Sequence, residues 1–300
     1  MRSSNPVFSR RGFSRDNGYA GFNAAPQAGA PATGGNPSAQ GTAANPYAAN
    51  PYATNPYAQQ DTQYGAPQAP ARTGAMTIDD VVTRTAITLG TVVLGAALAW
   101  ALLPVDEANL GKSYGIAIGA ALVAFVLSLI QSFKRKPVPA LIVSYAAFEG
   151  VFLGVISSAV STYIGPGVVM QAVLGTMCVF AGVLLAYKMR WIRVTRRFYG
   201  FVMAAAMGFM LLMVVNLLFA VFGGGDGLGF RSGGLGILFG VIGIILGACF
   251  LALDFKQVED GIAYGAPREE SWLAAFGLTM TLVWIYLEML RLFSILSGDD

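Results

Sequence analysis

The sequence predicts an all-α membrane protein, in which a bundle of seven transmembrane helices follows a disordered N-terminal tail. Hydrophobic residues make up 55% of the 300 residues and charged residues only 12%, against about 25% charged residues in an ordinary soluble domain. The mean hydropathy of +0.59 fits a chain that is mostly dissolved in lipid. The third observation is a series of apolar runs of about 20 residues, the length that crosses a bilayer as a helix.

The first 75 residues differ in composition from the rest of the chain. They consist mainly of Ala, Gly, Pro, Asn, Gln and Tyr, and they contain no apolar run that could form a core. The tetrapeptide Asn-Pro-Tyr-Ala begins at Asn45, Asn50 and Asn55. Such low-complexity sequence cannot bury enough apolar surface to offset the entropy lost on ordering. We therefore expect a disordered tail over residues 1–75 and a transmembrane domain over residues 76–300.

Seven apolar runs follow the tail, and short connections separate them. Because lipid cannot satisfy exposed backbone N–H and C=O groups, each run is expected to form a helix. Strands of a transmembrane barrel would be shorter and would alternate in polarity. The predicted helices cover residues 84–103, 113–133, 139–162, 167–187, 199–222, 233–256 and 271–297.

Basic residues are distributed unevenly between the two ends of these helices. If the helices alternate in direction, the basic residues of the tail and of the loops after the second, fourth and sixth helices fall at one end, whereas Lys112 and Arg231 fall at the other. The positive-inside rule then predicts that the N-terminus lies in the cytoplasm and the C-terminus outside. We expect a multi-pass protein of the plasma membrane. The tail has no apolar stretch typical of a signal peptide. We expect the basic loops to contact anionic membrane lipids.

The composition argues against several classes of function. There is no His, which excludes a His-based triad and an imidazole zinc site. The net charge of +3 argues against nucleic-acid binding, and Cys178 and Cys249 lie in apolar runs that suggest neither a disulfide framework nor a metal cluster. The segment Gly223–Asp226 fits the Gly-x-Gly-Asp pattern of intramembrane aspartyl proteases, but turn chemistry in a Gly-rich loop explains it, and Leu253 stands where that class has a tyrosine before its partner acid. We expect no enzymatic activity and no bound cofactor.

Four ionisable residues lie inside the predicted helices, away from the helix ends. They are Glu149 in the third helix, Asp254 in the sixth, and Glu288 and Arg291 in the seventh. A charged side chain at the bilayer centre costs about 2.5–3.5 kcal/mol on insertion scales, so such residues usually face the bundle interior and mark an ion or proton path. At 1.5 Å per residue, Asp254 is expected near the inner end, Glu149 about 15 Å deep and Glu288 about 25 Å deep. We interpret the carboxylates as a ladder for pH sensing and cation movement.

The spacing of glycines predicts which way Asp254 points. Gly236, Gly240, Gly243 and Gly247 recur at helical intervals, and Asp254 returns to the same face of the helix. Small residues allow helices to approach one another closely in a membrane. Asp254 is therefore expected to face a neighbouring helix and not lipid.

Each intramembrane residue also has a simpler structural interpretation. Glu288 and Arg291 are three residues apart on one helix and would neutralise each other. Asp254 would extend its side chain to the inner membrane interface. Glu149 would be a protonated, hydrogen-bonded packing residue. The residues alone leave open which interpretation applies.

Two segments of the membrane domain resemble the transmembrane Bax inhibitor motif family. They are Leu251–Phe255 and Ile285–Phe293, and Met1–Phe8 is similar to the start of a bacterial branch of that family. The resemblance implies six helices around a central one, and a cation leak, with calcium in studied members, that is regulated by protonation of Asp254 and Glu288. Calcium would then be a permeating ion, held weakly and transiently by these two carboxylates.

The resemblance leaves the partner of Asp254 open. Glu288 pairs with Asp254 if Ile285–Glu288 is aligned with the family's Leu-Tyr-Leu-Asp pattern. The segment between the two acids is longer than usual in the family, and a different register would place Thr279 or Thr281 opposite Asp254. A second functional reading follows from bacterial relatives that are thought to modulate a membrane-anchored protease: the chain would be a non-transport regulator that uses its tail to bind such a protease. No oligomeric state is predicted.

Overall fold

The structure is a computed structural model that describes residues 74–223, 230 and 232–298. Within this part of the chain lie seven helices that are long and apolar enough to cross a membrane. The protein is therefore a multi-pass helical membrane protein. The predicted disordered tail lies outside the described residues apart from Gly74 and Ala75, and so does Asp226. The helices are α1 (Ile78–Leu102), α2 (Leu110–Phe133), α3 (Pro139–Tyr163), α4 (Pro166–Lys188), α5 (Arg196–Gly223), α6 (Gly233–Ala263) and α7 (Ser271–Gly298).

Two helices are longer than their apolar runs predict. Helix α1 begins at Ile78, where the hydroxyl of Thr77 accepts a hydrogen bond from the backbone N–H of Asp80 at 3.2 Å and caps the helix. Helix α6 continues to Ala263 beyond the predicted end at residue 256. Lys256 Nζ lies 2.7 Å from Asp260 Oδ1, and such a pair four residues apart stabilises a charged helix end. An apolar run predicts the part of a helix that lies in lipid. It does not predict the part that extends beyond the lipid into water.

Helix α7 lies at the centre of the bundle. Buried hydrogen bonds connect it to α1, between the hydroxyls of Thr88 and Thr279 at 2.8 Å, and to α3, between the hydroxyls of Ser157 and Tyr286 at 2.7 Å. Its apolar side chains share core clusters with residues of α2, α4 and α5. The arrangement agrees with the six helices around a central one that the family resemblance implies.

Small residues bring α1 and α3 into direct backbone contact. A Cβ added at Gly95 would lie 2.9 Å from the carbonyl oxygen of Ala147, and one added at Gly154 would meet the backbone of Ala96. Close approach through small residues is a common way to join helices where lipid gives no hydrophobic driving force between them. This contact fixes the position of α3, and with it that of Glu149.

The basic loops lie at one end of the bundle, which we call the basic end. Lys136, after α2, lies 4.0 Å from Glu269, in the loop after α6. Tyr187, at the end of α4, donates a hydrogen bond to Glu259, near the end of α6. These contacts place the loops after α2, α4 and α6 together, as alternating helices predict, with Lys112 at the start of α2 at the opposite end. The side of the membrane that the basic end faces stays a prediction.

A short antiparallel contact joins the residues before α1 to the loop between α6 and α7. The backbone N–H of Met76 donates to the carbonyl of Ala266 at 2.8 Å, and that of Arg268 donates to the carbonyl of Gly74 at 2.8 Å. The Met76 side chain is buried in the core cluster of α6 and α7. We call this contact, between Gly74–Met76 and Ala266–Arg268, the clasp.

Candidate functional site

Asp254 faces α7 from the second half of α6. The hydroxyl of Thr281 donates a hydrogen bond to Asp254 Oδ2 at 2.6 Å. A Cβ added at Gly277 would lie 3.5 Å from Asp254 Oδ1. The carboxylate therefore points into the interface between two helices and not at lipid, as the glycine face of α6 predicts. Of the two registers that the sequence leaves open, the structure has the one with Thr281 opposite Asp254.

Glu288 lies on the same side of α7 as Thr281, two turns further along the helix. Seven residues correspond to about 10 Å at 1.5 Å per residue. The Glu288 side chain packs against α6 at Gly243, where an added Cβ would lie 2.9 Å from Glu288 Cδ. Gly243 is itself three turns from Asp254, about 16 Å along α6. The structure therefore does not bring Asp254 and Glu288 together.

An apolar layer separates these two carboxylates. Ile285 and Leu251 are both 0% exposed. A Cβ added at Gly247 would lie 2.6 Å from Ile285 Cγ1, so the Ile285 side chain fills the space that a larger residue on α6 would need. We call Gly247, Leu251 and Ile285 the apolar layer. It closes the direct route between the two polar levels of the α6–α7 interface.

Arg291 forms an ion pair with Glu288. Arg291 Nη2 donates a hydrogen bond to Glu288 Oε2, and both side chains are 12% exposed. This is the intrahelical neutralisation that residues three apart on one helix predict. Arg291 Nε and Nη1 are buried and have no acceptor among the described residues. An unsatisfied buried donor costs on the order of 1–3 kcal/mol. The described residues therefore satisfy the Arg291 guanidinium only in part.

A cavity of about 440 Å³ lies between α2, α3 and α7. Both Glu149 and Glu288 line it, and Asp254 is not among its lining residues. In the part of the chain that the structure describes, the Glu149 carboxylate makes neither a hydrogen bond nor an ion pair. We call this space the acidic cavity. The structure thus brings together two of the predicted carboxylates, but not the two that the resemblance pairs.

The three carboxylates occupy two depths instead of three. Glu149 is ten residues into α3 and Thr281, the partner of Asp254, is ten residues into α7, which places both acids about 15 Å from the basic end. Glu288 lies about 25 Å from that end. Asp254 is deeper than the sequence predicts because α6 continues to Ala263.

Calcium binding by Asp254 and Glu288 together requires that both approach one ion. Calcium takes 6–8 oxygen ligands at about 2.3–2.6 Å, and the two carboxylates are separated by the apolar layer. Within residues 74–223 and 232–298, no group of three or more Cys, Asp or Glu side chains could hold a metal ion. In this conformation Asp254 and Glu288 do not approach one another closely enough to ligate the same ion.

Comparison with known families agrees with the architecture. A model of the family described as Bax inhibitor 1 like matches residues 5–298. The chain belongs to this family. The match confirms the family that the α6 and α7 segments indicate, and it extends into the tail. A search of curated proteins finds no match.

For this Bax inhibitor 1 like protein, the aromatic side chains of the acidic cavity are not apparent from the sequence. They are Phe125 on α2, Tyr145 and Phe152 on α3, and Trp284 on α7. No motif connects residues of three different helices. The one available signal is on α3, where Tyr145 and Phe152 lie four residues before and three residues after Glu149 and therefore share its face.

Proposed function

We propose that this family member is a pH-sensitive cation leak channel, in which intramembrane carboxylates control the passage of cations, calcium among them. The observation that carries the proposal is the acidic cavity, which has Glu149 and Glu288 in its wall about 15–25 Å from the basic end. A carboxylate at such depth is costly, and acids that are found there usually mark an ion or proton path. Glu149, without an ion-pair or hydrogen-bond partner among the described residues, is available to a cation.

The described conformation corresponds to a closed channel. A cation that enters from the basic end would meet Asp254 and Thr281 first, and the apolar layer then blocks its way to Glu288. Hydrophobic constrictions of this kind stop ions because water leaves them. Opening requires that α6 and α7 separate at Ile285.

Protonation offers a means to shift the balance between closed and open states. Ionised Asp254 accepts a charge-assisted hydrogen bond from Thr281, which is stronger than a neutral one. The charge of Glu288 depends on Arg291 beside it, and on Glu149 and Tyr145 in the same cavity wall. A proton taken up by either acid changes the contacts that hold α7 in place, and the populations of the two states change accordingly.

Buried donors near Glu288 support a hydrated outer half of the path. Besides the two nitrogens of Arg291, Trp284 Nε1 is buried without an acceptor among the described residues. Buried polar groups are normally paired with protein or with ordered water. Water in a path along Glu288 would satisfy these donors.

Flux measurements in liposomes test the proposal. We expect Asp254→Asn, Glu149→Gln and Glu288→Gln each to change the pH dependence of calcium uptake, followed with an enclosed calcium dye. Glu269→Gln is the matched control, because Glu269 is an exposed acid in the loop between α6 and α7, and it should behave like the wild type. Wild-type flux at every pH in all three intramembrane variants would contradict a role for the carboxylates.

The second candidate is a non-transport regulator that binds a membrane-anchored protease. The clasp favours some role for the tail, because Gly74, which follows the tail in the sequence, accepts a hydrogen bond from the α6–α7 loop. Deletion of residues 1–73 separates the two candidates. A leak should survive the deletion, whereas regulation through the tail should be lost.

A further inference from the structure

We propose that the acidic cavity binds a lipophilic organic cation with a single positive charge, such as an amine or a quaternary ammonium compound. The inference rests on the proposed function in one respect, namely that cations reach this cavity from outside the bundle. The proposed function concerns ions that pass through the protein. The inference concerns a ligand that the acidic cavity would retain, and it names the chemistry of that ligand.

The charge of the cavity favours a monovalent cation. Glu149 and Glu288 both lie in its wall, and Arg291 is paired with Glu288. With both acids ionised, the pair is neutral and one negative charge remains, on Glu149. A buried charge is tolerated when it is paired, so a ligand with one positive charge would neutralise Glu149. A divalent ion would leave an excess positive charge next to Arg291.

The aromatic lining favours an organic cation over a hydrated metal ion. Phe125, Tyr145, Phe152 and Trp284 line the same space as Glu149. A cation within about 6 Å of an aromatic ring centre is attracted to the face of the ring, and aromatic cages for quaternary ammonium groups use this attraction. Calcium instead requires 6–8 oxygen ligands, and the side chains of the lining offer two carboxylates, one of them paired with Arg291, and the hydroxyls of Ser128 and Tyr145.

Two of the rings are held in place by neighbours outside the cavity. Tyr145 packs edge-to-face on Phe276, with ring centres 5.1 Å apart. The ring centre of Trp284 lies 6.1 Å from that of Phe209 and 5.9 Å from that of Phe250. These two rings are therefore in place before a ligand binds, and binding does not carry the entropy cost of ordering them.

The size and position of the cavity fit a small lipophilic molecule. Its volume of about 440 Å³ is within the usual range of small-molecule sites, about 300–1,000 Å³. Phe125 is 59% exposed on the outer surface of α2, a surface that faces lipid in a spanning helix. The cavity wall therefore continues into the membrane, where a lipophilic cation would concentrate.

The test uses benzyltrimethylammonium as the probe and neopentylbenzene as an uncharged molecule of the same shape. Isothermal titration calorimetry measures binding of each to the full-length protein in detergent micelles, with empty micelles as the blank. We expect the wild type to bind the charged probe at least tenfold more tightly than the neutral one. We expect Glu149→Gln to weaken binding of the charged probe at least tenfold, and Glu149→Asp to stay within a few-fold of wild type.

Further variants separate binding from folding and from the leak. Phe125→Leu removes a ring from the cavity. Residue 125 lies on the lipid-facing surface of α2, where folding tolerates the exchange of one apolar residue for another. The substitution should lower the affinity for the charged probe several-fold. Glu269→Gln should bind like the wild type. Failure of the wild type to bind, equal affinity for both probes, or unchanged affinity in Glu149→Gln and Phe125→Leu would overturn the inference. Wild-type flux at every pH in Asp254→Asn, Glu149→Gln and Glu288→Gln would instead contradict the proposed function, and it would leave these binding results unchanged.

Discussion

At the scale of single residues, Gly243 determines where a buried charge can lie. The carboxyl group of Glu288 occupies the space beside α6 that a side chain at residue 243 would take, since an added Cβ would lie 2.9 Å from Glu288 Cδ. This recess lets Glu288 remain beside Arg291 at the border of the acidic cavity. The absence of a side chain at Gly243 on α6 therefore allows the Glu288 carboxyl group on α7 to take this position.

Gly243→Ala should displace the Glu288 side chain and lower the melting temperature. Ala is favoured over Gly in a helix by up to about 1 kcal/mol, but an overpacked contact costs about 1–3 kcal/mol, so we expect a net loss. Gly208→Ala on α5 is the matched control, because an added Cβ there meets nothing within 4 Å. A thermal melt in detergent compares the two, and a Gly243→Ala protein as stable as Gly208→Ala would contradict the tight contact.

At the scale of helices, α6 and α7 form a single interface with polar groups at two levels and an apolar layer between them. Thr281 and Asp254 define one level, and Glu288 with Arg291 defines the other. Ile285 is 0% exposed and occupies the space left by Gly247. The interface is thus tightly packed at the point where a continuous path would have to open.

Ile285→Ala should raise the rate of cation leak and lower stability. The substitution leaves a cavity in the apolar layer and should cost about 2–5 kcal/mol in the free energy of unfolding. Leu282→Ala is the control, because Leu282 is also buried on α7 but lines the groove toward α1 and α4. We expect liposome flux to rise about tenfold or more in Ile285→Ala only. Equal flux in the two variants would show that the apolar layer is not the barrier.

At the scale of the whole molecule, charge and hydrogen bonding distinguish the two ends of the bundle. The loops after α2, α4 and α6 and the start of α1 meet at the basic end, through contacts such as Arg268 Nε to Asp80 Oδ1 at 2.8 Å. The loop between α1 and α2 lies at the other end. By the positive-inside rule the basic end should face the cytoplasm.

Cysteine labelling in intact cells tests this orientation. In a background with Cys178 and Cys249 replaced by Ala, a single cysteine is introduced at Asp106, in the loop after α1, or at Lys136, in the loop after α2. A membrane-impermeant maleimide should label Asp106→Cys in intact cells and Lys136→Cys only after lysis. The reverse pattern would invert the topology.

The sequence predicts the helices well because lipid imposes a minimum apolar length on each of them. It misses the start of α1 and the end of α6, where a cap at Thr77 and the Lys256–Asp260 pair extend helices into water. The glycine spacing predicts that Asp254 faces a helix, since periodicity is a local property. That Thr281 is the partner of Asp254 depends on how far α7 is displaced along α6. A pattern within one helix does not contain this displacement. The acidic cavity is not predictable for the same reason, because three separate helices form it.

The clasp has a mechanical consequence for the bundle. Two backbone hydrogen bonds and a buried methionine fasten the beginning of the first helix to the connection between the last two. At this end, α1 is therefore connected directly to the α6–α7 hairpin. Any rearrangement that moves the α6–α7 loop away from the start of α1 has either to move α1 with it or to break those two hydrogen bonds.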